Sequence, residues 1–299
     1  MFPMTRKLCA DIWTNSGHVI INKAMTDDEF DPHAPQFINA LCQMALDAGA
    51  LIMQHYRDGV AEEKKADKSP VTQADRDAEI LLEKALAKLA PRIQVIGEEA
   101  CADAMPQHLD DMFFLLDPLD GTRDFIAKRD NFTVNIGLVQ NQYPIAGVIY
   151  APVHEKLYFS GTDCAYRLLM PPDGSLDIGV AEKLKTKKID PKGLHIIASR
   201  SHRGKHTDQM IASLNVKSTI AAASSYKFCL LAEGTADFYP RYGRTMEWDT
   251  AAGQAILEAA GGVVTTEDGA RFSYGKLSRG LDNPSFIAAA ADNWHDAMK

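Results

Sequence analysis

Phe37, Leu41, Ala45, Ala48, Ile52 and His55 fall on one helical face, with Pro35 near the start and Gly59 at the end. That pattern predicts an amphipathic helix with ordinary end signals. Residues 64–70 read as a charged turn. A second helix is expected from Thr72, carrying Ala78, Leu81, Leu82, Ala85, Leu86 and Leu89 until Pro91 ends it. Asp75, three residues after Thr72, makes an Asp variant of the capping box. A short strand over 93–96 leads into Gly97-Glu98-Glu99. The run Met112-Phe113-Phe114-Leu115-Leu116 is short, continuous and aromatic-rich, the signature of a buried strand. Pro118 is expected to stop its ladder, and Thr122 to open a short helix. Strands are expected over 132–139, 145–150 and 157–160, the first two joined by the polar turn 140–142. Residues 171–193, with three prolines and several lysines, read as a loop between two halves.

Beyond that loop the pattern alternates. A strand at 194–198 precedes helices at 205–214 and 225–233, a strand at 236–239, and a helix at 249–260 that Gly261-Gly262 ends. Strands at 263–266 and 286–290 follow. Such alternation predicts an α/β half with a mainly parallel sheet. The expected organisation is a segment 1–30 that is a disordered extension or upstream sequence, an α+β half over 31–170, and a smaller α/β half over 194–299. Two strand-bearing halves fit in a chain of 299 residues.

Composition narrows the function classes. Hydrophobic residues make up 46 % and charged residues 24 % of the chain, as in ordinary globular proteins. The net charge of −8 argues against bulk electrostatic binding to nucleic acid. Five scattered cysteines without a C-x-x-C pair indicate neither a disulfide framework nor a zinc ribbon. A reducing cytoplasm is the expected location, with peripheral attachment to the cytoplasmic face of the inner membrane as the alternative. No uninterrupted apolar stretch predicts integral membrane association. The first two dozen residues are a poor signal peptide, being broken by Asp11, Asn15, Ser16 and His18.

The chemistry concentrates at Asp117-Pro118-Leu119-Asp120-Gly121-Thr122. A strand end throws two carboxylates and a hydroxyl into one small volume, and Gly121 lets the backbone turn close to a ligand. Two carboxylates that close repel unless a proton or a cation sits between them. Glu98 and Glu99 follow another strand. Asp249, in Glu247-Trp248-Asp249-Thr250-Ala251-Ala252-Gly253, stands where it could cap a helix. Alone, each would read as a solvated strand end or a cap. Together, Glu98, Asp117, Asp120 and Asp249 suggest a site for two Mg²⁺ ions, which favour oxygen ligands and sit about 4 Å apart in two-metal sites. Thr122 can orient an attacking water. The N–H groups of Gly121 and Thr122 can hold a phosphate oxygen.

Gly97-Glu98-Glu99, D-P-L-D-G-T and W-D-T-A-A-G, in that order, resemble the inositol monophosphatase superfamily of Mg²⁺-dependent, lithium-sensitive phosphatases. The resemblance runs from about residue 35 to about residue 290 and implies a layered α/β (α+β) sugar-phosphatase fold, with an antiparallel-sheet N-terminal half. It also implies Glu98, Asp117, the Leu119 carbonyl, Asp120 and Asp249 as ligands of two or three Mg²⁺ ions. Asp75 and Thr122 become the pair that positions or deprotonates water. Residues 65–75, Ser199-Arg200-Ser201-His202, Ser224 to Cys229 and Tyr239-Pro240-Arg241 most resemble the bacterial 3′(2′),5′-bisphosphate nucleotidases of that superfamily. The implied substrate is adenosine 3′,5′-bisphosphate, cleaved to AMP and phosphate. The implied extensions are 3′-phosphoadenylyl sulfate as a substrate and a link to sulfate assimilation. Its second phosphate would meet His202, Ser224, Lys227 and Arg241. The rivals are an inositol-1-phosphate phosphatase, which would not need that cluster, and a catalytically inactive binding protein on the same fold.

Overall fold

The structure is a computed structural model that describes residues 30–59, 63–64, 70–170, 175–199 and 204–297. The expectation for residues 1–30 lies almost wholly outside the described residues. Two β-sheets dominate the architecture. Helix α1 (Pro35–Asp58) precedes a small antiparallel hairpin of β1 (Glu63–Lys64) and β2 (Pro70–Val71), then α2 (Gln73–Leu89). Next come β3 (Gln94–Gly97), α3 (Glu98–Asp103), β4 (Met112–Asp120), α4 (Thr122–Ile126), β5 (Thr133–Gln140) and β6 (Tyr143–Ala151). Strands β7 (Lys156–Ser160), β8 (Ala165–Leu169) and β9 (Glu182–Leu184) complete a seven-stranded sheet of sequential order. Only its β3–β4 pair is parallel.

The second sheet has five strands. They are β10 (Leu194–Ser199), β11 (Val216–Ala222), β12 (Phe238–Arg241), β13 (Val263–Thr265) and β14 (Phe286–Ala289), in the order β11-β10-β12-β14-β13. Helices α5 (Lys205–Ala212), α6 (Tyr226–Ala232) and α7 (Ala251–Ala259) connect them, with a 3-10 turn over Glu247–Asp249 just ahead of α7. The expected parallel character holds for β10 with β11 and β12; β14 runs antiparallel to both its neighbours, so this sheet is mixed.

The continuous apolar run in β4 follows from burial on both faces, because successive side chains of a strand point opposite ways. Phe114 and Leu116 join α1 and α2 in one core. Phe113 and Leu115 join a second core with α6, α7 and the inner face of the second sheet. A third core lies under α5 and the C-terminal 3-10 segment around Trp294. Helix α1 is long and apolar enough, by length and composition, to cross a membrane. Here Phe37, Ile38, Leu41, Ala45, Ala48 and Ile52 are buried against α2 and the large sheet.

Several elements differ from the sequence expectation. Strands β1, β2, β8, β9 and β11 and helix α3 were not foreseen. Strand β9 lies inside the supposed inter-half loop and buries only Leu184. Strand β11 is an edge strand whose residues are mostly exposed, so it carries no period-two apolar signal. Pro118 does not end β4, which runs on to Asp120. Asp117 faces Asn135 and Asp120 faces Thr133, three steps on one strand against two on the other. That one-residue bulge matters. In a regular strand residues three apart point to opposite faces, and the extra residue turns Asp120 back to the side of Asp117.

Helix α7 lies close on β6 because Gly147 has no side chain. A Cβ there would stand 2.5 Å from the Ala252 carbonyl oxygen and 2.9 Å from its Cα. The obstacle is backbone, so relief requires moving the helix. Gly147→Ala should therefore destabilise the fold by about 1–3 kcal/mol through overpacking. The check is a lower urea midpoint at unchanged slope; an unchanged midpoint would show that α7 moves freely.

Candidate active site

The bulge of β4, the start of α3 and the 3-10 turn before α7 converge on one cavity of about 270 Å³. Glu98, Asp117, Leu119, Asp120, Gly121, Thr122, Ser224, Lys227, Arg241 and Asp249 all line it. His202 lies outside the described residues. Glu99 does not line it, and its charge instead helps hold Arg76 protonated.

Glu98, Asp117 and Asp249 each bring a carboxylate oxygen to within 4.8 Å of the others. Asp117 is 1 % exposed. Asp249 does not cap α7, whose N-cap position belongs to Thr250. Its Oδ2 instead accepts the Met246 N–H at 2.8 Å, the reach-back arm of the 3-10 turn. Burial, and then the charges of Asp120 and Glu98, push the Asp249 carboxyl up to about 8. Asp120 stands outside the close trio. Its Oδ2 accepts the Ser225 N–H at 2.6 Å and lies 3.4 Å from Asn135 Nδ2. Clustered carboxylate oxygens are the donor set that Mg²⁺ takes, so the residues present fit a divalent cation.

Asp75 and Thr122 are brought together from different elements. Asp75 is 2 % exposed and completes a capping box, its Oδ2 accepting Thr72 N–H at 2.8 Å and Thr72 Oγ1 at 2.7 Å. Its Oδ1 accepts the Thr122 hydroxyl at 2.9 Å. The cap and the Thr122 contact use different oxygens of one carboxylate. Thr122 Oγ1 also lies 3.2 Å from the Leu119 carbonyl. Gly121, with φ of +101°, supplies the left-handed turn that starts α4.

Lys227 and Arg241 add cations to the same lining. Lys227 is only 5 % exposed, and its ammonium lies 5.2 Å from the Tyr239 ring centroid. Burial pushes it down to about 8 against the pull of Asp120 and Asp249. Arg241 donates from Nη2 to the Arg244 carbonyl at 3.0 Å, while its buried Nε has no hydrogen-bond partner among the described residues. Ser224 takes a left-handed φ of +60° and its Oγ lies 2.6 Å from Thr133 Oγ1.

Sequence reading missed the groups behind these. Ser225 Oγ donates to Asn135 Oδ1 at 2.6 Å and lies 2.8 Å from Thr133 Oγ1, locking α6 to β5 beside Asp120. Glu247, fully buried, accepts the Gly275 and Lys276 N–H groups at 2.8 Å each and pairs with Lys276 Nζ, which fixes the turn bearing Asp249. Glu79 accepts two N–H groups of α3. Of these, Glu79 alone had a sequence signal: a charge inside the apolar stripe Ala78, Leu82 and Leu86.

A profile of the inositol monophosphatase family matches residues 33–298. A Salmonella typhimurium protein described as 3′(2′),5′-bisphosphate nucleotidase CysQ is 38 % identical over 252 residues, 83 % of this chain and 98 % of that protein. The Buchnera aphidicola protein of the same description is 36 % identical over 258 residues, 85 % of this chain and 94 % of its own. Among solved structures, CysQ from Bacteroides thetaiotaomicron superposes with a TM-score of 0.69 at 37 % identity, covering 84 % of this chain and 96 % of that one. An inositol monophosphatase from Thermotoga maritima, at 21 % identity and a TM-score of 0.69, shares the fold.

The raised Asp249 carboxyl gives a signed expectation. A carboxyl whose folded pKa lies above its unfolded value adds stability below the unfolded pKa and loses it as pH rises through the folded one. Without metal, the melting temperature should fall between pH ~4 and pH 8, where Asp249 gives up its proton. Millimolar Mg²⁺ should recover much of the loss at pH 8, because it binds the native state alone. Melting curves in EDTA and in Mg²⁺ at both pH values decide it; no Mg²⁺-dependent rise at pH 8 would remove the metal reading.

Proposed function

The chain belongs to the inositol monophosphatase family, and we propose that it is a Mg²⁺-dependent 3′(2′),5′-bisphosphate nucleotidase, which cleaves the 3′-phosphate of adenosine 3′,5′-bisphosphate to leave AMP. The relatives described as such nucleotidases, at 36–38 % identity over more than four-fifths of the chain, support this reading. The observation that carries it beyond the family is the buried cation Lys227, set with Arg241 in the wall of the carboxylate cavity. Hydrolysis of one phosphate does not require this pair; a second phosphate does.

Glu98, Asp117, Asp120, Asp249 and the Leu119 carbonyl would hold two or three Mg²⁺ ions. Bound Mg²⁺ would neutralise phosphoryl charge as it develops and stabilise the leaving oxygen. Thr122 donates its hydroxyl hydrogen to Asp75, which leaves its lone pairs to accept one from water. Water then attacks phosphorus in line with the ester oxygen, its proton passing towards Asp75 through Thr122. The P–O3′ bond breaks, and the ribose oxygen takes a proton from a second water to end as the hydroxyl of AMP. The 5′-phosphate would sit against Lys227 and Arg241, with Ser224 and His202 as further donors. The substrate is small and the reaction is placed in the cytoplasm. The same contacts admit 3′-phosphoadenylyl sulfate, which connects the activity to sulfate assimilation.

The two phosphates provide the test. The bisphosphate should be a far better substrate than 3′-AMP or inositol 1-phosphate. Lys227→Ala should cost ~1.5–3 kcal/mol on the bisphosphate, roughly ten- to a hundredfold in kcat/KM, and leave activity on 3′-AMP nearly unchanged. A parallel loss on both, or a wild-type preference for inositol 1-phosphate, would replace this reading with an inositol phosphatase. Asp120→Asn keeps shape and removes a charge. It should nearly abolish kcat while the melting temperature in EDTA holds or rises; near-normal kcat would reduce Asp120 to a turn residue.

A further inference from the structure

Helix α2 carries two buried carboxylates one turn apart, Asp75 at 2 % and Glu79 at 3 % exposure. Residues four apart share a helix face, so both point from α2 towards the same neighbourhood. Asp75 reaches Thr122. Glu79 reaches α3, where its Oε2 accepts the Glu99 N–H at 2.9 Å and its Oε1 accepts the Ala100 N–H at 2.6 Å. These are among the first N–H groups of α3, which lack partners within the helix. The residue immediately before them is Glu98.

A buried carboxylate is costly unless it is compensated. No lysine or arginine pairs with Glu79 among the described residues, and its face neighbours Ala78, Leu82 and Leu86 are apolar core. Packing alone would favour another apolar side chain there. The pair of α3 amides offsets part of that cost. The approach is also bespoke on the other side: a Cβ on Gly97 would stand 2.4 Å from Glu79 Cδ and 2.5 Å from its Oε1. Helix α3 has six residues, too few to hold its own direction, since short helices depend on tertiary contacts. The orientation of Glu98 towards Asp117 and Asp249 therefore depends on what grips the first turn of α3.

We propose that Glu79 is a positioning residue for the metal site: it clamps α3 through the Glu99 and Ala100 amides so that the Glu98 carboxylate stands ready for Mg²⁺, with Gly97 as the gap that admits the clamp. This rests on the reading of the carboxylate cavity as a Mg²⁺ site. Partners that orient a ligand typically matter ten- to a hundredfold in metal affinity.

The test uses full-length E79Q, whose amide offers one acceptor and turns an NH₂ against the other N–H. Two quantities are followed: the Mg²⁺-induced rise in melting temperature and the Mg²⁺ concentration for half-maximal phosphate release. The expected result is a midpoint raised about tenfold and a smaller Mg²⁺-induced rise, with a lesser change in KM for the nucleotide at saturating Mg²⁺. A lower melting temperature in EDTA with an unchanged Mg²⁺ midpoint would make Glu79 a core group only, and overturn the proposal. If E79Q does not fold, G97A pushes the same clamp away from the other side, and an unchanged Mg²⁺ midpoint there overturns it equally. A wild-type protein with no Mg²⁺-dependent rise would instead remove the metal reading beneath it.

Discussion

Like-charged carboxylates crowded into the lining of one cavity are the constraint around which this molecule is built. Glu98, Asp117 and Asp249 come from three separate stretches of chain and meet within 4.8 Å. Their mutual repulsion opposes that meeting, and burial adds to the cost, as the upward shift of Asp249 records. Rigid attachments therefore surround the site. Asp117 and Asp120 share a side only because β4 bulges. Asp249 is tied by its reach-back bond to Met246, and the turn that carries it is bolted through Glu247 to the segment at 275–276.

The same constraint explains the cations in that lining. Lys227 is the second residue of a seven-residue helix whose two ends are both fastened. At one end the Ser225 N–H meets Asp120 and the Ser225 hydroxyl meets Asn135. At the other, Glu233 accepts the Tyr158 hydroxyl at 2.6 Å and Arg167 at 2.8 Å, both from the large sheet. A buried ammonium pays for desolvation, and the nearby Asp120 and Asp249 offset part of it. Carboxylates and cations thus offset each other's charge in the lining of one cavity.

The N-terminal helices serve this arrangement from behind. Helix α1 fills the outer face of the large sheet with apolar surface. Helix α2 does the same with Leu82 and Leu86, yet spends two positions of its buried face on Asp75 and Glu79. Those two charges reach the hydroxyl of Thr122 and the amides of α3. A helix that packs the core thereby also sets the geometry of the cavity.

Much of this was legible in the sequence. The periodic helices α1 and α2, the buried strand before Asp117, and the alternating second half are local patterns, written in spacing and burial. The three acidic motifs identified the family and the carboxylates, because residue type and order survive in one dimension. What the sequence could not decide was anything that depends on a partner distant in the chain. Strands β9 and β11 are strands only because an edge was there to pair with. Helix α3 is too short to show a period. Asp249 reads as the cap of α7 until Met246 is seen beside it. Pro118 looks like an end, and the register against Asn135 and Thr133 makes it part of a bulge. Glu79 and Gly97 are eighteen positions apart in number, and only folding sets the carboxylate of one into the space the other leaves open. Local propensity and side-chain chemistry belong to the sequence; register, close approach and the sharing of one buried volume by distant charges belong to the tertiary structure, because each is a property of pairs that only packing brings together.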